Sequence, residues 1–225
     1  MSSKTSGENN LSAGCSGRSF SSPKRWGLWV FLFLFSLPVY ANPVLTNIAA
    51  GQASVQQTPS TTTVQQTSGK AVLNWQSFNV GVAEKVHFVQ PAGGIALNRI
   101  DPSQGASAIY GQINATGQII LINQAGIYFG PNSYVNVGGI MVSTANIGDN
   151  DFMAGKLLFN QSSPYYGSIV NDGTIKSADY GYVALMAPSV VNNGTIQANL
   201  GQVVLASGQA FTISFGESSL IDFAI

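Results

Sequence analysis

Hydrophobic and polar positions alternate over short stretches along most of this chain. AVLNWQSFNV from Ala71, KVHFV from Lys85, QIILI from Gln118, IYF from Ile127 and YVNVGGIMV from Tyr134 are rich in Val, Ile, Phe and Tyr, and Gly and Asn punctuate them. Short runs of this composition predict strands. No window sustains the i, i+3, i+4, i+7 period of a capped amphipathic helix. Ala145 to Leu158 comes nearest, but glycines and acidic turn residues interrupt it. The pattern predicts an all-β chain. Within Asn42 to Lys70, from Gly51 on, apolar positions thin out to Ala53, Val55 and Val64 among Gln, Thr and Ser. That stretch reads as a polar, strand-rich cap or a partly mobile arm.

The C-terminal third repeats itself. Val170-Asn171-Asp172-Gly173-Thr174-Ile175 recurs as Val191-Asn192-Asn193-Gly194-Thr195-Ile196, and Gly181-Tyr182-Val183-Ala184-Leu185 as Gly201-Gln202-Val203-Val204-Leu205. A period of roughly 20 residues, built of short strands joined at Asn-Gly corners, predicts the coils of a parallel β-helix. Ile175 and Ile196, then Leu185 and Leu205, would stack in the interior. Asn171 and Asn192 would occupy equivalent corners, where their amides can bond along the axis and a left-handed backbone is tolerated. Two similar hairpins of a β-sandwich would also use Asn-Gly, without needing the same order at a coil-length spacing.

The first forty residues have a different character. Lys24 and Arg25 precede WGLWVFLFLFSLPV, an apolar run from Trp26 to Val39. It is too short for a membrane span of about 20 residues and suits a secretory h-region. Val39 and Ala41 stand at the −3 and −1 positions of a cut between Ala41 and Asn42, so residues 1–41 read as a signal peptide with an extended basic start. Cys15 lies ahead of the apolar run in a polar context and would leave with it, which removes disulfides from the mature chain.

Charge is scarce: Lys, Arg, Asp and Glu make up 8% of 225 residues. After residue 25 there remain five basic and eight acidic groups, a net charge of −3 (5 − 8) with His87 neutral. Nucleic-acid binding requires a dense basic stripe, so DNA and RNA are excluded as partners. Catalytic constellations are sparse as well. His87, the one histidine, alternates with apolar neighbours in Lys85 to Val89 and reads as a surface or rim residue. Zinc of the ordinary kind needs several Cys or His ligands, and no cofactor is expected. Asp149 and Asp151 read as a loop, Asp172 and Asp179 belong to the repeat, and Arg99 stands in no recognisable pairing. A calcium-assisted polysaccharide lyase would need clustered carboxylates and a base. It stays as the enzymatic alternative to a non-enzymatic chain, beside a purely structural surface solenoid.

Several segments together resemble a known family. NWQSFNVG (Asn74 to Gly81), LNRI (Leu97 to Ile100), GQINATGQIILINQAGIYFG (Gly111 to Gly130) and VNVGGIMVSTANI (Val135 to Ile147) occur in one order. The combination resembles the N-terminal secretion domain of filamentous-haemagglutinin-type two-partner secretion exoproteins, the haemagglutination activity domain. The resemblance covers residues 42–225. It implies a right-handed parallel β-helix (71–225) with an N-terminal β cap (42–70) and a side hairpin. It also implies that POTRA domains of a cognate outer-membrane β-barrel transporter recognise the chain and export it unfolded. The exoprotein would be secreted or cell-surface associated, and contacts with host-cell or carbohydrate receptors would fall to the rest of it.

Asn74, Trp75, Phe78, Asn98 and Arg99 match the family's signature positions. The family's Asn-Pro-Asn-Gly-Ile motif falls on Asn123, Gln124, Ala125, Gly126 and Ile127, where Pro and the second Asn are replaced. Gly126 can still supply a positive-φ turn, while the Pro-fixed φ is lost. These five residues are expected to form an exposed corner that the transporter reads. The final residues, LIDFAI, alternate without a polar cap, so the chain is expected to be the start of a longer exoprotein and to fray between Phe215 and Ile225.

Overall fold

The computed structural model describes residues 41–161, 164–215 and 221–224. Residues 1–40 of the signal segment, Cys15 among them, lie outside the described residues. Within them the strands wind into a parallel β-helix, each coil giving one strand to each of up to three sheets. The first sheet stacks Val44–Ala50, Lys70–Ser77, Ile95–Ile100, Gln118–Asn123, Gly139–Ser143, Tyr182–Ala187 and Gln202–Ser207. The second stacks Ala53–Thr58, Thr61–Gln66, Lys85–Val89, Gln112–Ala115, Tyr134–Val137, Thr174–Ser177 and Thr195–Ala198. The third holds Ser107–Ile109, Ile127–Phe129, Ser168–Asn171 and Ser189–Asn192. Only Val44–Ala50 and Ala53–Thr58 pair antiparallel to their neighbours in these sheets.

Stacking in register turns each strand's period-two pattern into ladders along the axis. Leu73, Asn98, Leu121, Val142, Leu185 and Leu205 form one interior ladder of the first sheet. Val86, Ile113, Val135, Ile175 and Ile196 form one in the second. The repeat read from the sequence is thus the coil, with Ile175 beside Ile196 and Leu185 beside Leu205. The Asn corner is a ladder too, since Asn171 Nδ2 donates to Asn192 Oδ1 at 2.7 Å. The left-handed residues of this region are Tyr180 (φ 61°) and Leu200 (φ 51°) rather than the asparagines. They sit at equivalent corners just before Gly181 and Gly201, while Asn171 and Asn192 end extended strands.

The outer face of the first sheet is also apolar and also covered. Val72, Leu97, Ile120, Met141 and Ala184 pack under Phe152, Leu157, Phe159, Phe211 and Ile213, a second core outside the coil. This explains why Gly139–Ser143 and Tyr182–Ala187 are buried at every position, the pattern of strands covered on both faces. The cover includes the expected extra-helical strands, an antiparallel sheet of Leu157–Phe159, Phe211–Phe215 and Ile221–Ala224. It also holds a short helix, Asp149–Met153, where a loop was expected. Arg99 meets Asp149 at the start of that helix, and Lys70 Nζ donates to the Phe152 and Met153 carbonyls at its end, at 3.2 and 3.0 Å. Cations at the carbonyl end and carboxylates at the amide end both favour a helix.

Glycines line one corner between coils. A Cβ on Gly117 would lie 2.5 Å from the Gly94 carbonyl oxygen, and one on Gly138 would lie 2.6 Å from that of Gly117. Gly181 and Gly201 continue the column against Gly138 and Gly181.

The two ends of the solenoid differ. At the first coils, Leu45, Ile48, Ala53 and Val55 of the antiparallel strands pack onto the interior core. At the last coil, Val203 is 47% and Leu205 49% exposed, although both continue interior ladders.

Candidate functional site

The Asn123–Ile127 segment does form a corner, at the passage from the first sheet to the third. Gly126 N–H donates to the Asn123 carbonyl at 2.9 Å, closing a four-residue turn, and Gly126 adopts φ 112°. Glycine is the residue for that backbone, and a Cβ there would lie 2.7 Å from the Ser168 carbonyl of the following coil. The corner is less exposed than expected. Asn123 is fully buried, and Gly126 and Ile127 are buried with it; only Gln124 and Ala125 are half-exposed.

Asn123 spends its amide on the fold. Nδ2 donates to the Gly105 carbonyl and to Ser107 Oγ, both at 3.0 Å, and Oδ1 accepts the Ala125 N–H at 2.9 Å. It therefore ties one coil to the previous one, a role the motif alone does not disclose.

The signature residues divide between the two faces of the first sheet. Trp75, Phe78 and Asn98 face the interior, with the Trp75 and Phe78 rings edge to face at 5.2 Å. Trp75 Nε1 donates to Asn98 Oδ1 at 3.0 Å, and Asn98 Nδ2 donates to the Ala96 and Ile120 carbonyls. A polar residue is thereby satisfied inside an apolar ladder, as burial demands.

Asn74 and Arg99 face outward and are paired after all. Arg99 Nε donates to Asn146 Oδ1 at 2.8 Å, Nη1 to Asn74 Oδ1 at 3.2 Å, and Nη2 to the Ile147 carbonyl and to Asp149 Oδ1 at 2.8 and 2.6 Å. Asn74 in turn donates to Asn47, and Asn146 to Gln161. The fixed fork of a guanidinium suits such a hub. It joins the N-terminal cap, the first sheet and the outer cover. Nothing in the sequence marks Asn47, Asn146 or Gln161 as members, because the residues meet only when distant strands align.

The hub and the corner share one groove of about 300 Å³, lined by Asn74, Trp75, Arg99, Asp101, Gln124 and Asn146. With Arg99 committed to Asp149 and three carbonyl-type oxygens, the polar groups left to the groove include amides and the Asp101 carboxylate, beside apolar walls of Ile100, Pro102 and Ile122.

The remaining candidates lie apart. His87 is half-buried in an outward ladder with Thr63, Asn114, Asn136, Lys176 and Gln197. Asp172 accepts from Tyr128 Oη at 2.7 Å and from Asn193 Nδ2 at 2.9 Å. Those hydrogen bonds hold the Asp172 carboxyl below its ordinary range, and the bond to Asp172 holds the Tyr128 phenol above its own. Among the described residues no group of three His, Cys, Asp or Glu converges on a common point. Ala41 and Asn42 lead into the cap, and Asn42 Nδ2 donates to the Thr58 and Pro59 carbonyls at 3.1 and 3.0 Å.

Residues 41–220 match the TPS secretion domain family. The heme/hemopexin-binding protein of Haemophilus influenzae (strain ATCC 51907 / DSM 11121 / KW20 / Rd) is 31% identical over 188 residues, 79% of this chain and 20% of that protein. A second heme/hemopexin-binding protein of Haemophilus influenzae is 34% identical over 86 residues, 38% of this chain and 9% of that protein. The crystal structure of the HMW1 secretion domain from Haemophilus influenzae superposes with a TM-score of 0.71 at 30% identity, covering 80% of this chain and 48% of that one. The chain thus spans about a fifth of the length of the first of these relatives.

Proposed function

We propose, from the premise that this chain belongs to the TPS secretion domain family, that it is the address through which an exoprotein is accepted by its own outer-membrane transporter. The reading has three steps. Residues 1–41 direct export to the periplasm and are cut off between Ala41 and Asn42. POTRA domains of a β-barrel partner then bind the secretion domain. The chain closes into its β-helix after transit, at the cell surface or beyond. The observation that carries the reading is the extent of the family match, which takes in the cap and every coil.

The burial of Asn123, Gly126 and Ile127 adds a condition. Groups wedged between coils can be read by a partner only before the coils close. If the transporter reads Asn123, Gly126 or Ile127, it meets the chain unfolded.

Two substitutions separate recognition from stability. Asn123→Ala leaves the Gly105 carbonyl, Ser107 Oγ and the Ala125 N–H without their partner, and Ser107→Ala removes one member of the same node. Both should lower stability, Asn123→Ala by about 1–3 kcal/mol in urea denaturation. In cells carrying the cognate transporter, secreted yield should fall at least about tenfold for Asn123→Ala, roughly 1.4 kcal/mol of recognition. It should hold for Ser107→Ala, which lies outside the motif. Equal yields for both would place recognition elsewhere, and secretion without the transporter would remove the reading altogether. N-terminal sequencing of exported protein tests the first step, with Asn42 expected as the first residue.

A further inference from the structure

Glu84 is a carboxylate in an unusual position. It is only 5% exposed, at the end of a turn closed by its own N–H on the Gly81 carbonyl at 2.9 Å. Oε2 accepts the Gly81 N–H at 2.7 Å, and Oε1 accepts the Ala41 N–H at 2.6 Å. Among the described residues no cation pairs with it: the one ion pair there is Arg99–Asp149, and Lys85 beside it is exposed. Two backbone N–H donors reach this buried carboxyl, and a positive group is the partner that burial favours beside them.

We infer that Glu84 is the receptor for the α-ammonium group created when the chain is cut between Ala41 and Asn42. The inference rests on the processing step proposed above. Hydrolysis adds one water: Ala41 leaves as a carboxylate, and Asn42 keeps its nitrogen, which takes up a proton. Glu84 Oε1 loses the neutral Ala41 N–H and gains a cation one residue further along, a span of at most about 3.6 Å of chain.

The surroundings hold Asn42 within reach. Its amide Nδ2 is fixed to the turn carbonyls of Thr58 and Pro59. The buried Pro43 that follows has its carbonyl bound by Gln57 Nε2. Ser60, in the same turn, accepts the Lys85 N–H at 2.9 Å, so the turn and Glu84 are neighbours. Asn42 Oδ1 is itself buried without a hydrogen-bond partner, and an ammonium on the same residue is a donor for it. Before cleavage Glu84 meets a neutral amide; afterwards it closes an ion pair that fastens the cap to the first coils.

The experiment uses exported protein, sequenced first. A start other than Asn42 removes the processing step and leaves Glu84 as a turn cap. With the Asn42 start, labelling with an amine-reactive reagent at pH 7 is followed by mass spectrometry. A comparison protein carries Ser-Gly inserted after Ala41, so that its amine overhangs. Pairing with a carboxylate favours the charged amine, and one pKa unit means about tenfold less neutral amine. The native amine should therefore react about tenfold more slowly than the overhanging one, and equal rates would overturn the inference. Glu84→Gln supplies an independent reading. It should lower Tm by about 5 °C or more with the native start and clearly less in the overhang protein. Equal losses in the two would show that Glu84 serves the 81–84 turn alone.

Discussion

Trp75→Ala should remove about 5 kcal/mol or more of stability from the mature domain, read from its urea midpoint. Two losses combine. A fully buried indole leaves a cavity, which for Phe or Trp to Ala costs about 3–5 kcal/mol. The Asn98 side-chain oxygen Oδ1 then sits unpaired in the apolar ladder between Leu73 and Leu121, at about 1–3 kcal/mol more. The second part can be isolated. Trp75→Phe keeps most of the volume and the edge contact with Phe78 but removes the donor. Its penalty should shrink when Asn98→Leu is already present, because that change removes the orphaned acceptor and makes the ladder apolar throughout. An unchanged penalty in the double variant would mean that the indole N–H contributes nothing beyond its bulk.

Gly138→Ala should cost about 3 kcal/mol, although it adds only one methyl group. Overpacking ordinarily costs about 1–3 kcal/mol because flexible side chains give way. Here the new atom would meet the Gly117 carbonyl at 2.6 Å, and that is backbone. The Gly138 N–H donates to the same carbonyl at 2.8 Å, so the coils cannot part without breaking their ladder. Gly93→Ala is the matched control, since a Cβ there meets nothing within 4 Å. Its cost comes only from a φ of 70°. A smaller loss at Gly138 than at Gly93 would show that the column tolerates side chains and that φ alone decides.

The coil could be read from the sequence because stacking in register converts a local pattern into a repeated one. Val170 to Ile175 and Val191 to Ile196 look alike since each must match the strand below it, down to the Asn171–Asn192 amide bond. Earlier coils serve the same ladders with fewer shared letters: Val135 takes the place of Ile175, and Asn98 interrupts the leucines. The outer cover was harder to foresee. Phe152, Phe159 and Phe211 become a second core only because distant segments fold back over one sheet. A five-residue helix is held there by Arg99 and Lys70, from strands far away in sequence.

The site was legible in part. The motif identified a corner and its glycine, and the signature identified Trp75, Asn98 and Arg99. Sequence carries no sign of which face of the chain a motif presents, so Asn123 was expected outside and is found between coils. Glu84 gave no signal at all, since its meaning depends on Ala41, 43 positions earlier.

The unequal ends give the solenoid a direction, like a growing polymer with one end blocked and the other live. At the blocked end, antiparallel strands lay Leu45, Ile48, Ala53 and Val55 over the interior, so the parallel stack begins beneath them. At the live end, Val203 and Leu205 offer a template already in register, and full burial of each such side chain is worth roughly 1.5–3 kcal/mol. Winding that starts at the blocked end can therefore proceed only one way, each finished turn acting as primer for the next. A chain threaded outward with this domain leading would gain free energy with every turn completed on the far side. Under the proposed export, such winding would act as a ratchet, opposing backward slippage without any external source of energy.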